Sequence, residues 1–261
     1  MIIASAITEK ESGSDAYSMK TTAVKNGDDY YLNGSKYYIT NAPIADYFLV
    51  YAFTDVNKGS IGGLSAFLVD AKQSGVEVMG PLEKMGLRTA QMGGVQLKNV
   101  KAICRLGEEG AATAMFNEAM TWERIILSAL NLGIVVRVKE QVQQFGEENN
   151  RGGKKLNEQS EFVEVVSHAD VFLENAWNKI IYAAKALDEN SKQSFLKASV
   201  AKLLVAEQGE KVMRQLQQST GAYGYLSKNG IERDYRDFLA FTIYSGSNYV
   251  QNKIISSFSH S

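Results

Sequence analysis

The feature that most restricts this chain is a change of period near its middle. Up to about Ala102 it runs in short strand-like stretches broken by turns, and from about Gly110 its apolar residues recur at helical spacing. A period of two puts side chains alternately on the two faces of a strand, whereas recurrence at three and four residues lines one face of a helix. In the first stretch, residues 19–24 are rich in β-branched side chains and lead into turn chemistry at Asn26-Gly27-Asp28-Asp29. Tyr30-Tyr31-Leu32 then runs into Asn33-Gly34, a strong hairpin signal, so a tight turn is expected there. Residues 35–40, 47–53, 64–69, 75–78 and 94–97 repeat the pattern between Gly-rich breaks. Strands at this spacing predict a compact barrel or sandwich.

Past Gly110 the stripes are helical. Phe162, Val165, Val166, Ala169, Leu173, Ala176, Ile180 and Ala184 fall on one face, and Met115, Met120, Ile125, Ala129 and Leu132 form a similar stripe. Leu196, Val200 and Leu203 begin a third helix, and Ile243, Val250 and Ile254 mark the last. Breaks are expected at Gly152-Gly153-Lys154-Lys155 and Ser219-Thr220-Gly221. The expectation is an α+β chain: a β-barrel-like domain over residues 1–108, then an antiparallel four-helix bundle of long helices over residues 109–261.

Composition removes several classes of function. A formal net charge of -1 leaves no electrostatic footprint for nucleic acid and no polybasic membrane signal. No uninterrupted apolar run approaches the roughly 20 residues of a membrane span, so no membrane insertion is expected. Met1-Ile2-Ile3-Ala4 is too short for a secretory signal and lacks its basic flank. The single Cys104 rules out an internal disulfide framework, and no Cys/His cluster has metal-ligand spacing. The default is a soluble, cytoplasmic protein.

Two short segments could carry chemistry. Thr8-Glu9-Lys10-Glu11-Ser12-Gly13-Ser14-Asp15 gathers hydroxyls, carboxylates and a glycine. Such a loop can bind phosphate or the polar edge of a ring, and it is equally the composition of an ordinary solvated turn. Tyr37-Tyr38-Ile39-Thr40-Asn41 ends a strand with an aromatic beside a hydroxyl. That pairing could cover a flat cofactor and hydrogen-bond its edge, or it could simply pack the barrel.

In combination these segments resemble the acyl-CoA dehydrogenase family. Thr8 to Asp15 is similar to its Thr-Glu and Gly-Ser-Asp motif, and Gly34-Ser35-Lys36-Tyr37-Tyr38-Ile39-Thr40-Asn41 to its Gly-x-Lys-x-Trp-Ile-Thr-Asn. Lys84-Met85-Gly86-Leu87-Arg88 and Leu106-Gly107-Glu108-Glu109-Gly110 look like the next two signatures. Trp122-Glu123-Arg124 follows at the expected start of the first bundle helix. Tyr235-Arg236-Asp237, then Ile243-Tyr244-Ser245-Gly246-Ser247, resembles Tyr-Arg-Asp followed by Ile-Tyr-Glu-Gly-Thr. The signatures occur in order along nearly the whole chain.

The resemblance implies an FAD held between the β domain and the bundle, and an acyl thioester of CoA or of a carrier protein as substrate. It puts Thr8 at the pyrimidine edge of the flavin, Ser14 near the pyrophosphate or the thioester, Tyr38 in place of the usual Trp against the ring, and Thr40 near N5. It implies a homodimer or homotetramer whose neighbouring subunit offers Gln218, Gly221 and Ala222 to the adenine end, with an electron-transfer flavoprotein as a further partner. Arg151 stands where the family carries the Arg of Arg-x-x-Phe-Gly, but Gly152-Gly153-Lys154-Lys155 replaces the rest of that motif, and a solvated basic loop is the competing reading. The family also has a helical domain ahead of the position of Thr8, so a chain lacking that domain is expected here.

The base is the informative departure. The family reaction removes an α proton and passes a β hydride to flavin, and a carboxylate suits the first step because the bound thioester carbonyl acidifies the α carbon. The commonest site for that Glu is occupied here by Ser245, and a serine without an activating base cannot do the work. A subgroup, including isovaleryl- and long-chain-type dehydrogenases and prolyl-carrier-protein oxidases, keeps the base on the bundle helix in a Glu-Arg pair, which Glu123-Arg124 matches. The alternative is a surface or first-turn carboxylate, favoured by the helix dipole and near Arg124. The implied substrate contacts are Ser14, Arg124, Tyr244, Ser245 and Gly246. Open beside dehydrogenation are oxidation of a prolyl-type carrier-protein thioester and a catalytically inactive flavoprotein scaffold.

Overall fold

Alternation builds the first part of the chain. In a computed structural model describing residues 1–259, the chain divides into two units, Met1–Lys84 with Arg88–Asn117, and Met85–Leu87 with Glu118–Ser261. The first holds β1 (Ile3–Ala6), β2 (Thr22–Asn26), β3 (Asp29–Thr40), β4 (Tyr47–Phe53), β5 (Leu64–Asp70), β6 (Val76–Met79), β7 (Met92–Lys101) and β8 (Cys104–Leu106). They form one sheet of order β6-β7-β3-β2-β4-β5-β8, with β1 added parallel to β4. Leu32, Phe48, Val50, Phe67, Val95 and Leu97, from four strands, share one buried cluster, so the sheet curls around its own inward face. The β7–β8 link tightens the curl. Ala102 N donates to Tyr30 O on β3 at 2.9 Å, and Ile103 N donates to Leu68 O on β5 at 2.8 Å. This is the barrel-like expectation met.

The hairpin expected at Asn33-Gly34 is not there. β3 runs through it unbroken, and the turn sits earlier, where Asn26 pairs with Asp29 around Gly27-Asp28. Asn33-Gly34 instead marks a register slip of β3 on β7, and the Asn33 carboxamide accepts from Asn99 N at 2.8 Å. Gly34 is needed for close approach: a Cβ there would lie 2.3 Å from Thr21 Oγ1 and 2.7 Å from Thr21 Cα. An Asn-Gly pair serves a bulge as well as a turn, and pairing with β7 decides between them.

The second unit follows the helical stripes. Its longer helices are α1 (Ala112–Glu148, whose first turns lie in the first unit), α2 (Ser160–Asp188), α3 (Ser194–Ser219), α4 (Ile231–Leu239) and α5 (Asn248–Ser259). Val135 and Val138 of α1, Ala176 and Ile180 of α2, and Val205 and Met213 of α3 share its main core. The expected breaks appear: α1 and α2 are joined through a small hairpin of β9 (Asn150–Arg151) and β10 (Lys154–Lys155), and α3 stops at Ser219. The bundle expectation holds, but its last member is not one long helix. Left-handed residues at Gly230, Ser245 and Gly246 interrupt it, leaving α4, an irregular segment in which Ile243 is 72% exposed, and α5. By length and composition α1 could cross a bilayer. Its Arg124, Ser128 and Asn131 are buried with hydrogen-bond partners inside this unit, the arrangement of a core helix.

Candidate active site

Glu123 lies about three turns inside α1, since the helix begins at Ala112. The helix dipole acts within the first turn, so the dipole reading does not account for this carboxylate. What it meets is Ser245, whose hydroxyl donates to Glu123 Oε1. Ser245 has φ +55° and Gly246 φ +79°, so two successive left-handed residues turn the chain back before α5. The left-handed φ favours glycine at the second, where a Cβ would also lie 2.6 Å from Gln251 Nε2 and displace it.

Carbonyl contacts hold this turn in place. Gln251 Nε2 donates to Ser245 O and to Gly246 O, each at 2.9 Å, and Arg124 Nε donates to Ser245 O at 3.4 Å. Arg124 is 4% exposed; its Nη1 donates to Ser199 Oγ at 3.1 Å, and its guanidinium lies 4.6 Å from the centre of the Phe195 ring. The guanidinium is therefore engaged by the fold of this unit. Tyr244 Oη accepts from Asn131 Nδ2 at 3.0 Å. Burial pushes the Tyr244 phenol pKa up; the Asn131 hydrogen bond opposes this and the Glu123 charge adds to it.

Beside the turn is a second buried cation. Lys202 is fully buried on α3, donates to Asn248 Oδ1 at 3.3 Å and lies 5.1 Å from the Phe241 ring. Burial, aided by the Arg124 charge and opposed by Glu207, pushes its ammonium down to about 7. The polar groups around Glu123 and Ser245 thus come from α1, α3, α5 and the segment before α5.

The first unit gathers a different set. Tyr38 and Thr40 are exposed on β3 with buried Ile39 between them, so by alternation they emerge on one face. Tyr38 stands at a second register slip, between Lys36 and Ile39, with φ +59° and 52% exposure. Its ring meets Tyr37 edge-on at 4.8 Å. Tyr37 N donates to Thr8 O at 2.8 Å, which brings the Thr8 segment to the same strand. Ser14 is exposed farther along that segment.

Beneath it lies an ion pair that sequence reasoning did not single out. Lys36 is fully buried and donates from Nζ to Glu9 Oε1 at 3.1 Å and to Ile7 O at 2.8 Å. Glu9 also accepts from Lys20 N at 2.7 Å, Thr21 N at 2.9 Å and Thr21 Oγ1 at 2.6 Å. Burial pushes the Glu9 carboxyl up, but the hydrogen bonds from Thr21 and Lys20 and the Lys36 charge outweigh it and leave the pKa lowered. Burial pushes the Lys36 ammonium down to about 8 against the pull of Glu9.

The remaining candidates lie apart from Glu123. Ser199, which meets Arg124, is in the early turns of α3, whereas Gln218 is exposed in its last turn, roughly 30 Å along the axis at ~1.5 Å per residue. Gly221 and Ala222 are exposed just beyond. Arg151 is exposed on the β9–β10 hairpin, its carbonyl accepting from Gln159 Nε2 at 2.9 Å. Two quoted motifs do meet. Arg236 Nη1 donates to Met85 O at 2.5 Å and Leu87 N to Asp237 Oδ1 at 2.6 Å, and a Cβ on Gly86 would lie 2.4 Å from Arg236 O. Of the residues that sequence reasoning missed, Lys202 had a signal, a charge within the apolar stripe of α3, and Glu9 and Lys36 stood inside quoted motifs; Ser199, Asn131 and Gln251 had none.

Comparison with known proteins gives two family matches. Residues 4–100 match the acyl-CoA dehydrogenase middle domain and residues 109–259 match the acyl-CoA dehydrogenase C-terminal domain. The chain is 34% identical over 256 residues to the caffeyl-CoA reductase-Etf complex subunit CarC of Acetobacterium woodii, covering 97% of this chain and 67% of that protein. Among solved structures, the prolyl acyl carrier protein oxidase AnaB superposes with a TM-score of 0.94 at 35% identity, over 99% of this chain and 68% of that one. An FAD complex of PigA gives 0.95 at 29% identity, over 100% and 68%.

Proposed function

The chain belongs to the acyl-CoA dehydrogenase family of flavin oxidoreductases, and from that premise we propose that it dehydrogenates an acyl thioester across Cα–Cβ, with FAD as cofactor and Glu123 as the base. The observation that carries the reading is the Glu123–Ser245 hydrogen bond. The carboxylate of α1 reaches the very position where the commoner members of the family carry their Glu.

The cofactor suits the donor set of the first unit. An exposed aromatic ring at Tyr38 can cover an apolar face, and Thr8, Thr40 and Ser14 offer hydroxyls to polar edges. FAD, when bound, accepts the hydride that leaves Cβ. Glu123 takes the α proton on its carboxylate. Tyr244 and Gly246 line the acyl thioester, and Arg124 shapes that wall by holding the Ser245 carbonyl. In the reverse direction Glu123 returns the proton. On this reading residues 1–108 supply the ring contacts and residues 109–261 supply the base. Gln218, Gly221 and Ala222 serve a neighbouring subunit's FAD in a homodimer or homotetramer, Arg151 meets pyrophosphate, and an electron-transfer flavoprotein removes the electrons, as the name of the CarC complex suggests.

A second substrate reading is favoured by the likeness to AnaB, a prolyl acyl carrier protein oxidase: a prolyl-type thioester on a carrier protein. Both substrates present a phosphopantetheine arm. The test is anaerobic reduction of the FAD-loaded protein by butyryl-CoA, 3-phenylpropionyl-CoA and a prolyl-carrier protein. Bleaching by one of them assigns the substrate class. A protein that holds FAD and is bleached by none is the inactive scaffold. Glu123→Gln is expected to slow bleaching by about 10²–10⁴-fold, the usual contribution of a general base, and an unchanged rate removes Glu123 from the reaction.

A further inference from the structure

Resting on Glu123 as the base, we propose that Ser245 is a positioning residue which aims the Glu123 carboxylate, and that its hydroxyl is not a substrate contact. A hydroxyl has one proton to donate, and here it goes to Glu123 Oε1. That leaves Oε2 as the free oxygen for an α proton. A glutamate on a helix has three side-chain torsions, so without a partner it samples several orientations. A single donor on a rigid turn selects one.

The turn is built to be rigid. Ser245 O accepts from both Gln251 and Arg124, Gly246 O accepts from Gln251, and Arg124 is itself anchored on Ser199 of α3. Backbone conformation adds an independent argument. Ser245 stands at φ +55°, where glycine is the cheaper residue, and glycine does occupy the next left-handed position. A side chain kept in such a conformation points to a use for it. Its one hydrogen-bonding group is directed at the carboxylate.

The experiment compares Ser245→Ala, Ser245→Gly, Glu123→Gln and Glu123→Gln/Ser245→Ala with the parent. Each is loaded with FAD and reduced anaerobically by the thioester that bleaches the parent among butyryl-CoA, 3-phenylpropionyl-CoA and prolyl-carrier protein. Ser245→Ala and Ser245→Gly are both expected to lose about tenfold or more in the limiting reduction rate, with thioester affinity within twofold of the parent. The glycine variant relaxes the backbone, so equal losses in the two variants tie the effect to the hydroxyl. In the Glu123→Gln background the serine change is expected to cost nothing further, because it acts only through Glu123; separate roles would multiply.

A weakened thioester affinity at an unchanged limiting rate would make Ser245 a substrate contact and overturn the proposal. Multiplying losses in the double variant would overturn it as well. An unaltered rate in Glu123→Gln is a different failure, that of the base assignment. If no thioester bleaches the parent, the proposed reaction fails and this role falls with it.

Discussion

Replacing Glu9 by alanine should destabilise the strand unit more than any other single truncation around the Thr8 segment. The carboxylate accepts from Lys20 N, Thr21 N, Thr21 Oγ1 and the buried Lys36 ammonium. Each buried donor left without an acceptor costs about 1–3 kcal/mol, but those losses overlap because water enters where the carboxylate was. Removing one partner of a buried ion pair costs about 3–5 kcal/mol in all, and that is the expected range. At roughly 4 °C per kcal/mol, for a unit that falls between the 60–100 and 150–250-residue classes, the melting temperature should fall by about 12–20 °C. Differential scanning calorimetry of the FAD-free chain at neutral pH measures it. The double variant Glu9→Ala/Lys36→Met tests the cause: with the stranded ammonium gone, about 1 kcal/mol or more should return. A melting temperature within 2 °C of the parent, or strictly additive losses in the double variant, would refute the reasoning. Either result would mean that the pair is solvated and does not hold the segment.

Two further outcomes follow from other positions. Lys202 has a folded-state pKa of about 7 against 10.5 for the free side chain, so between those values the unfolded chain binds more protons and stability rises with pH. From pH 7 to pH 9 the parent should therefore gain about 2 kcal/mol on Lys202→Met, read from urea midpoints at the two pH values, and a constant difference would contradict it. Gly34→Ala puts a Cβ 2.3 Å from Thr21 Oγ1 and 2.7 Å from Thr21 Cα, and should cost about 2–3 kcal/mol of thermal stability; a variant that melts with the parent would show that β2 gives way.

Local pattern carried much of the fold. The stripe of Ala169, Ala176 and Ile180 became the buried face of α2, and the alternation through Phe48 and Val50 became the inward face of β4, because each needs only its own neighbours in sequence. Asn33-Gly34 misled because its dipeptide suits both a turn and a bulge, and strand pairing with distant β7 chose the bulge. The last helical stretch misled because left-handed residues at Gly230, Ser245 and Gly246 leave no mark on apolar periodicity.

The candidate site divides along the same line. Its residue types and order were determined by the sequence alone: a Thr-Glu and Gly-Ser-Asp loop, a Tyr-Ile-Thr-Asn strand end, a Glu-Arg pair on a helix, and a serine in place of a glutamate. Their partners were decided only by tertiary structure. Glu123 and Ser245 are 122 positions apart, and Glu9 reaches Lys36 across 27. Hydrogen bonds of that span form when packing brings two backbones together, and no local period of the chain encodes such a meeting.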